Sequence, residues 1–527
     1  MTSTRVLLIF AIVIATQSEI NEGARILGIF PLPGKSHAIL GEQIMKVLAK
    51  KGHNVDVISH FPMKNKFPNY NDLSLQGSAE VITNNLNYSM VKTVSINSIK
   101  QLLDMTGDPV CNLLHHNTFQ NIIKNPPKDP PYDLVIVEYF TAYCFMAFGR
   151  LLNVPIIGVT ASVLLEWHND AAGNPHSLAF VPGGMTGFST KMTFSERLQN
   201  TIFSKMMTND FNRQVESQKL FVDKYIGSGY PSIYDLTREM SLILVNSHYS
   251  LNGIRPFTPG VIEIGGVHVQ DNEEKLLPEL QKWLDEAKHG FIYVSFGSMV
   301  RLETFPKKTL DIFYSSFKKI SPVRVLMKIA KKEELPPGLP ANVKTYHWLP
   351  QIQILKHKNV KGFVSHGGLL STIESIYYAV PIIGFPLFGD QNFNMRNYEN
   401  RKIAITLNYD SFTEEQLDGA LNKILKDPEM RNNIEKLSKL YKDRPMTPQE
   451  TVAFWVEYVL RHGPVLRSPA VNLSWWQVEL LDVYGFILLV LLLALFVILL
   501  LIRILIKSIF SSNNKSNSEK LRSKKTK

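Results

Sequence analysis

The sequence has 527 residues, more than a single hydrophobic core usually organises, so two domains with accessory segments are expected. Hydrophobic residues make up 45% and charged residues 20%, which is ordinary for a globular protein. The formal net charge is +11, but eight basic residues and one acidic residue follow position 502, so most of this charge belongs to the C-terminal tail. The charge left for the body is too mild to indicate a nucleic-acid partner.

The first 23 residues have the pattern of a cleavable signal peptide. Arg5 precedes the apolar run 6–15, and small and polar residues follow up to Gly23. A membrane anchor is the alternative, but a helix of this length rises only about 15 Å, roughly half the hydrocarbon core of a bilayer. We therefore expect a signal peptide at 1–23 and a mature chain that starts at the first strand.

Residues 24–255 alternate between strand and helix patterns, as in an α/β domain with a mostly parallel sheet. An apolar helix pattern that ends at Gly52 follows the first strand. Residues 160–240 are less regular and rich in Phe and Met. Strands are predicted near 25–30, 55–58, 132–137 and 155–159.

A second α/β domain is predicted for residues 284–448, after a linker at 256–283 that begins with a high density of Pro and Gly. Two such domains that face each other leave a cleft at the carboxyl ends of their strands, where open α/β sheets bind ligands. Strands are predicted near 291–296, 323–329, 360–365 and 381–385.

The C-terminal part of the chain predicts a single membrane anchor. Residues 449–482 comprise an amphipathic helix, which either packs back on the domains or lies on the membrane, and a juxtamembrane segment. The uncharged stretch 483–502 is long enough to span a bilayer, and the basic segment 503–527 is expected in the cytosol by the positive-inside rule. The body would then be lumenal, as in a single-pass type I protein. Lys524 and Lys525 resemble the dilysine retrieval signal of endoplasmic reticulum membrane proteins.

Cysteines and glycosylation sequons add little further constraint. Cys111 and Cys144 are the only two cysteines; a bridge between them would suit an oxidising lumen, and the sequence does not decide whether it forms. Asn87 and Asn472 begin sequons on the expected lumenal side, and Asn514 begins one in the expected cytosolic tail.

The segment 363–368 predicts a phosphate-binding turn. An apolar strand ends in Ser-His-Gly-Gly and a helix pattern follows, so free backbone N–H groups and the positive end of the helix dipole converge on Gly367. His366 and Ser371 are placed to add hydrogen bonds to a diphosphate. Most glycine turns of this kind are only turns, so the motif by itself is weak evidence.

The residues around this turn sharpen the prediction. Glu374 offers a carboxylate for ribose hydroxyls, and Asp390 with Gln391 suits the hydroxyls of a sugar. Upstream, Trp348 offers an indole face for a base and Gln351 an amide for its edge.

The run 363–391 resembles the signature of the UDP-glycosyltransferase family, whose members have the two-domain α/β GT-B fold, and the resemblance extends over most of residues 25–506. It implies that Trp348 stacks on uracil, that Gln351 and Glu374 hold the uridine, and that a further set holds the diphosphate. Plant members carry Asn where this chain has Leu370, so a contact from that side chain is absent here. The diphosphate set comprises Ser298, His366, Gly367 and Ser371, and the sugar set comprises Asp390, Gln391 and Asn394.

The same resemblance implies that the catalytic base is His37, at the start of the first helix. A neutral imidazole there would take the acceptor's proton as its oxygen attacks the anomeric carbon, with inversion of configuration. Family members support this His with an Asp after a later strand, where this chain has Glu138; the sequence leaves open whether the longer side chain reaches His37.

Two other classes of protein fit the sequence less well. The run 33–36 resembles the end of a P-loop, but Ile29 stands where the first glycine is required, so an NTPase is rejected. An inactive sugar-nucleotide binder is disfavoured because His37, Glu374 and Asp390 are present.

The expected substrates are a UDP-sugar and a small lipophilic acceptor, in a detoxification-type conjugation. Glucose is favoured because the run 388–391 resembles invertebrate relatives, which mostly use UDP-glucose, whereas vertebrate relatives mostly use UDP-glucuronic acid. Glucuronic acid stays open: Arg255 is placed to meet a carboxylate, but the resemblance implies this arginine in both groups of relatives. An apolar acceptor pocket beside His37 is expected from residues 60–240, including 139–148 and 164–168. No cofactor and no metal are implied, and homo-oligomerisation is left open.

Overall fold

The structure is a computed structural model that describes residues 23–93, 99–184, 186–270 and 274–523. Apart from Gly23, the predicted signal peptide lies outside the described residues, and so do the lysines of the predicted retrieval signal. The chain divides into two compact units, with the boundary between Ser468 and Pro469.

The first domain is built on a sheet of seven parallel strands. The strands are β1 Arg25–Phe30, β2 Asn54–Ser59, β3 Tyr70–Ser74, β4 Leu134–Glu138, β5 Ile156–Thr160, β6 Leu242–Val245 and β7 Val261–Glu263, in the spatial order β3-β2-β1-β4-β5-β6-β7. Alternate residues enter different cores, Leu27 and Val135 on one face and Ile26 and Leu134 on the other. Both faces are therefore covered, as a parallel sheet requires. Strand β7 lies inside the segment predicted as a linker.

Helices cover the two faces of this sheet, and the stretch 160–240, which has no regular sequence pattern, is largely helical. A disulfide between Cys111 and Cys144 links the end of the fourth helix to the segment after β4. The helices are α1 Lys35–Lys50, α2 Tyr88–Thr93, α3 Ile99–Thr106, α4 Asp108–Cys111, α5 Asn117–Lys124, α6 Ala147–Leu152, α7 Glu166–Ala172, α8 Phe194–Gln214, α9 Lys219–Tyr225, α10 Ile233–Thr237 and α11 Tyr249–Asn252.

The second domain has a sheet of six parallel strands in the order β10-β9-β8-β11-β12-β13. The predicted architecture of two α/β domains with parallel sheets is thus confirmed. The strands are β8 Phe291–Ser295, β9 Arg324–Lys328, β10 Val343–Tyr346, β11 Val360–Ser365, β12 Ile382–Gly384 and β13 Ala404–Thr406. The helices are α12 Pro278–Asp285, α13 Lys307–Lys319, α14 Gln351–Lys356, α15 Leu369–Tyr377, α16 Gln391–Asn400, α17 Glu414–Lys426 and α18 Pro428–Lys442.

Residues 82–93, the crossing segment, precede most of the first domain in sequence but pack into the second. Leu86 and Val91 are buried in the same core as Val300 and Phe305. The N–H of Leu86 donates to the carbonyl oxygen of Met299 at 3.0 Å, and a parallel bridge joins Leu86 to Val300. The second domain therefore takes part of its core from the first half of the chain.

Helix α19, Pro448–His462, makes the opposite crossing. It follows the second domain in sequence, yet Val452, Val456 and Val459 are fully buried in a core of the first domain with Leu40 and Ile44 of α1. Its apolar face is covered by protein, which decides between the two placements that the sequence allowed. The helix packs back on the domains.

The second compact unit contains α20, Trp475–Val478, and α21, Leu481–Ser523. In the described part of the chain, one helix is long and apolar enough to cross a membrane, and it covers Leu481–Ser511. This stretch contains the predicted span at 483–502, and its apolar side chains are exposed within the unit.

Candidate active site

His37 and Glu138 are brought together by two neighbouring strands of the first sheet. The chain turns after β1 through Gly34 into α1, which places His37 in the first helical turn. Glu138 is the last residue of β4, which pairs with β1 in parallel, so both side chains lie at the same sheet edge. The Nδ1 atom of His37 lies 2.5 Å from Oε1 of Glu138, so the glutamate reaches the imidazole.

The surroundings of this pair fix its geometry. Glu138 is 7% exposed, and its Oε2 accepts a hydrogen bond from the N–H of Leu32 at 3.3 Å. The Phe140 ring packs against His37 with 5.1 Å between the ring centroids. Because a carboxylate only accepts hydrogen bonds, Nδ1 of His37 carries a proton in this contact, and in the neutral form of the ring Nε2 is the atom with the free lone pair.

Asp390 faces this pair from the second domain. It precedes α16, where Asn394 donates from Nδ2 to Oδ2 of Asp390 at 3.0 Å and to the carbonyl oxygen of Gly367 at 3.1 Å. Burial raises the pKa of the Asp390 carboxyl above its usual range, while the Asn394 hydrogen bond and the nearby charge of His37 act in the opposite direction. Asp390 is therefore near enough to His37 for an electrostatic interaction between the two domains.

Unlike Asp390 and Asn394, the other two residues of the predicted sugar set, Gln391 hydrogen-bonds to the backbone of the turn that precedes it. Its Oε1 accepts hydrogen bonds from the N–H groups of Leu387 and Phe388 at 2.7 and 3.1 Å. The carbonyl of this side chain therefore shapes the turn before α16, in which Gly389 has a φ of 64°. Only its amide nitrogen is left for a sugar hydroxyl.

The predicted phosphate-binding turn follows β11. Gly367 has a φ of 86°, which favours glycine, and a Cβ atom at this position would come within 2.8 Å of Met395. The ring of His366 lies between Gly297 and Gly368, since a Cβ on either would approach the ring to 2.6 Å. The two glycines thus give the imidazole its space.

His366 is a neutral imidazole in this environment. Burial, and then the charge of Lys328, lower the pKa of His366 to about 4. Its Nδ1 is buried and has no hydrogen-bond partner within the described ranges. A neutral ring of this kind donates one hydrogen bond and accepts one.

Gln351, Ser371 and Glu374 form one hydrogen-bonded group beside the turn. The Nε2 atom of Gln351 donates to Oγ of Ser371 at 3.0 Å and to Oε2 of Glu374 at 2.7 Å. His268 joins the group, with Nε2 at 3.5 Å from Oε1 of Glu374 and at 3.2 Å from the carbonyl oxygen of Leu370. Sequence reasoning missed His268, because it lies in a segment that resembles a linker and carries no motif.

Trp348 and Ser298 lie in loops at the same edge of the second sheet. Trp348 is 43% exposed, so its ring is accessible to a ligand. Ser298 follows β8, and its carbonyl oxygen accepts a hydrogen bond from the N–H of Asn84. Lys328, the last residue of β9, has its Nζ 5.4 Å from the Trp348 ring centroid. Sequence reasoning also missed Lys328, although a lysine that ends an apolar strand was a usable signal.

The expected acceptor pocket needs a correction. In the stretches 139–148 and 164–168, Tyr139, Tyr143, Trp167 and His168 are almost fully buried and pack on one another in the core of the first domain. Burial lowers the pKa of His168 to about 3. Phe140, which is only partly buried, contacts His37. An apolar run has the same appearance whether it lines a core or a pocket, and here most of it is core.

No group of three or more His, Cys, Asp or Glu side chains that could hold a metal ion occurs in the described chain. The expectation that no metal or cofactor is needed stays a prediction. The catalytic, nucleotide and sugar roles of the residues described above likewise stay predictions.

Comparison with known proteins identifies the family. Residues 27–516 match the model described as UDP-glucoronosyl and UDP-glucosyl transferase. UDP-glycosyltransferase UGT5 of Dactylopius coccus is 35% identical over 486 residues, 88% of this chain and 89% of the relative. UDP-glucuronosyltransferase 1A8 of Homo sapiens is 33% identical over 369 residues, 69% of this chain and 68% of the relative.

The similarity to solved structures concerns the fold. The crystal structure of UDP-glucose: anthocyanidin 3-O-glucosyltransferase in complex with UDP aligns with a TM-score of 0.54 at 18% identity, over 84% of this chain and 99% of that chain. The predicted GT-B fold is confirmed by this likeness. Together with the family match over nearly the whole chain, it leads to one conclusion: the chain is a UDP-glycosyltransferase and belongs to the UDP-glucoronosyl and UDP-glucosyl transferase family.

Proposed function

We propose that the enzyme transfers a hexosyl group, glucose in preference to glucuronic acid, from a UDP-sugar to small lipophilic acceptors with inversion of configuration. The observation that carries this proposal is the partly buried contact between His37 and Glu138, with Asp390 of the second domain near enough for its pKa to respond to His37. It supplies a base on the acceptor side and a sugar-binding carboxylate on the donor side. Conjugation of lipophilic compounds is a detoxification-type reaction.

In this mechanism, His37 is the general base. Its Nδ1–H donates to Glu138, so Nε2 takes the proton of the acceptor hydroxyl as the acceptor oxygen attacks the anomeric carbon. Glu138 holds the ring in this tautomer and stabilises the imidazolium that forms. The bond from the anomeric carbon to the UDP oxygen breaks on the opposite face, which inverts the configuration.

The donor binds at the carboxyl edge of the second sheet. Trp348 stacks on uracil, Gln351 and Glu374 hold the uridine, and the N-terminal end of α15 receives the diphosphate. Negative charge grows on UDP as it leaves, and donors that are already oriented in a buried site stabilise this charge. Ser298, His366, Gly367 and Ser371 form the diphosphate set, and Asp390, Gln391 and Asn394 form the sugar set.

The preference for glucose rests on the surroundings of Arg255. Its Nη1 donates to the carbonyl oxygen of Leu164 at 2.9 Å, and its guanidinium lies over the ring of Phe393 in α16. Burial lowers the pKa of Arg255, while the charges of Glu166 and Glu263 act to raise it. Because the guanidinium is already engaged by the Leu164 carbonyl oxygen and the Phe393 ring, we expect a glucuronate carboxylate to gain little from it.

We also propose that the enzyme is an endoplasmic reticulum membrane protein with a lumenal body and a cytosolic tail. The bond between Cys111 and Cys144 suits an oxidising lumen. The apolar helix Leu481–Ser511 is followed by a basic tail, as in a type I protein.

Replacement of His37 by Ala should abolish transfer and leave UDP binding nearly unchanged, because the base belongs to the acceptor side. We expect a loss of about 10² to 10⁴ in kcat, with Glu138→Gln less severe. UDP affinity by calorimetry and turnover with a broad acceptor panel measure the two effects. The exposed His115 provides a control, and His115→Ala should be silent. Unchanged turnover in His37→Ala would reject His37 as the base.

Asp390 should govern the sugar and Trp348 the nucleotide. A hydrogen bond to a charged group contributes about 1.5–3 kcal/mol, so Asp390→Asn should lower UDP-sugar turnover by about one to two powers of ten and leave UDP affinity nearly unchanged. Trp348→Ala should weaken UDP and UDP-sugar together. Trp476, which is 42% exposed in the other compact unit, is a matched control for the loss of an indole. If Asp390→Asn weakens UDP as much as UDP-sugar, the sugar assignment is wrong.

A direct comparison of donors tests the preference for glucose. With one accepted phenol, kcat/KM should be at least about tenfold higher with UDP-glucose than with UDP-glucuronic acid, because one power of ten needs only about 1.4 kcal/mol. Arg255→Lys, which keeps the charge but not the planar fork, should change the two values in parallel. A higher kcat/KM with UDP-glucuronic acid would reverse the donor assignment.

The glycosylation pattern tests the topology. When the protein is expressed in a eukaryotic secretory pathway, glycan is expected on Asn87, Asn472 or both, and none on Asn514. Single Asn→Gln variants, compared by electrophoretic mobility before and after endoglycosidase treatment, identify the modified sites. Glycan on Asn514 would contradict the proposed orientation.

A further inference from the structure

The crossing segment connects the backbone beside His37 with the backbone beside Ser298. At its start, the N–H of Ile82 donates to the carbonyl oxygen of Pro33 at 2.8 Å, in the turn that leads to His37. Two residues later, the N–H of Asn84 donates to the carbonyl oxygen of Ser298 at 2.8 Å. An extended chain spans at most about 3.6 Å per residue. The two loops are therefore held at a short distance from each other by one piece of backbone.

Asn84 also contacts a buried lysine of the second domain. Its φ is 51°, a left-handed conformation that asparagine tolerates better than most residues. Its Oδ1 accepts a hydrogen bond from Nζ of Lys328, which donates a second one to the carbonyl oxygen of Gly297 at 2.8 Å. An ammonium has three donor hydrogens, so these two contacts leave one for another partner.

Lys328 has the environment of an anion-binding residue. It is 8% exposed, and burial lowers its pKa to about 8, so the side chain is still mostly charged at neutral pH. The charge of Glu303 acts to raise this pKa, but no carboxylate lies within ion-pairing distance of Nζ of Lys328 in the part of the chain that the structure describes. A buried charge without an ionic partner is costly, and a bound anion would relieve this cost.

The position of Lys328 identifies the anion. Its Nζ lies 5.4 Å from the ring centroid of Trp348, and its charge lowers the pKa of His366. Gly297, to which it donates, is in turn packed against the His366 ring. The lysine thus stands between the proposed base-stacking residue and the proposed phosphate-binding turn, where a nucleoside diphosphate carries its negative charge.

We propose that Lys328 binds the diphosphate of the UDP-sugar and that Asn84 positions its ammonium for this contact. The proposal rests on the proposed donor site and adds two residues to it. Because Asn84 belongs to the crossing segment, the same short stretch of backbone holds the turn before the catalytic base and the residue that orients the phosphate contact.

UDP and uridine, bound to the full chain in detergent, separate a phosphate contact from a nucleoside contact. Lys328→Met keeps the length of the side chain and removes its charge. It should weaken UDP about ten- to a hundredfold and uridine less than about twofold, whereas Lys328→Arg should retain most of the UDP affinity. Lys344→Met is the matched control, since Lys344 lies on the neighbouring strand β10 with its Nζ 5.7 Å from an indole centroid, that of Trp283. Equal UDP affinity in the parent and Lys328→Met would overturn the proposal.

A double-mutant cycle tests the role of Asn84. Asn84→Gly keeps the left-handed backbone accessible and removes the amide, so it should weaken UDP about three- to tenfold in the parent and have no further effect in Lys328→Met. Asn69→Gly is the control, because Asn69, the residue just before β3, has a similar φ of 59°. If Asn84→Gly weakens UDP by the same factor in both backgrounds, Asn84 does not act through Lys328.

The outcomes also distinguish this proposal from the donor site on which it depends. If the parent protein does not bind UDP, or Trp348→Ala leaves UDP affinity unchanged, the proposed donor site fails as a whole. If both behave as proposed and only Lys328→Met is silent, the donor site stands and the lysine is not part of it. Thermal unfolding of each variant confirms folding. Lys328→Gln replaces Lys328→Met if the methionine variant is unstable, with the same expected loss of UDP and not of uridine.

Discussion

The parallel direction of the strands in both sheets is the constraint on which the site depends. In a parallel sheet all carboxyl ends lie at one edge, and open α/β sheets bind ligands at that edge. Six groups with a proposed chemical role end a strand or lie in the segment that follows one in the sheet of their own domain, which is why side chains distant in sequence meet. These groups are His37 after β1, Glu138 at the end of β4, Ser298 after β8, Lys328 at the end of β9, His366 after β11 and Asp390 after β12.

Burial has a common effect on the ionisable groups at this edge. It raises the pKa of Asp390 and lowers the pKa values of His366 and Lys328, so each group is pushed towards its neutral form. Electrostatic interactions are stronger among such buried groups than in solvent. The negative charges of a nucleotide diphosphate would therefore interact strongly with the fixed dipoles and hydrogen-bond donors around them.

The sequence predicted those parts of the fold and the candidate site that depend on local patterns. The two parallel sheets are visible as apolar runs separated by helices, and the turn at His366 is visible because it needs glycine at fixed spacing. The contact between Glu138 and His37 was left open, since the reach of a side chain depends on strand register. The sequence did not predict a role for His268 or Lys328, because their partners, Glu374 and Asn84, are brought near them only by tertiary packing. The same limit explains the incorrect pocket assignment at 139–148.

Because the chain crosses twice between the domains, each domain's core contains side chains from a segment that belongs to the other half of the sequence. The first domain's core is completed by Val452, Val456 and Val459, which are synthesised after the entire second domain. The second domain's core includes Leu86 and Val91, which are synthesised near the beginning. The first domain's core therefore cannot close fully during translation until α19 has left the ribosome, whereas the second domain's core needs residues 82–93, which are already outside by then. Consider a chimera with a relative that is joined at the segment between the two sheets. Both cores would be mismatched in it unless α19 comes from the same parent as the first domain and residues 82–93 come from the same parent as the second.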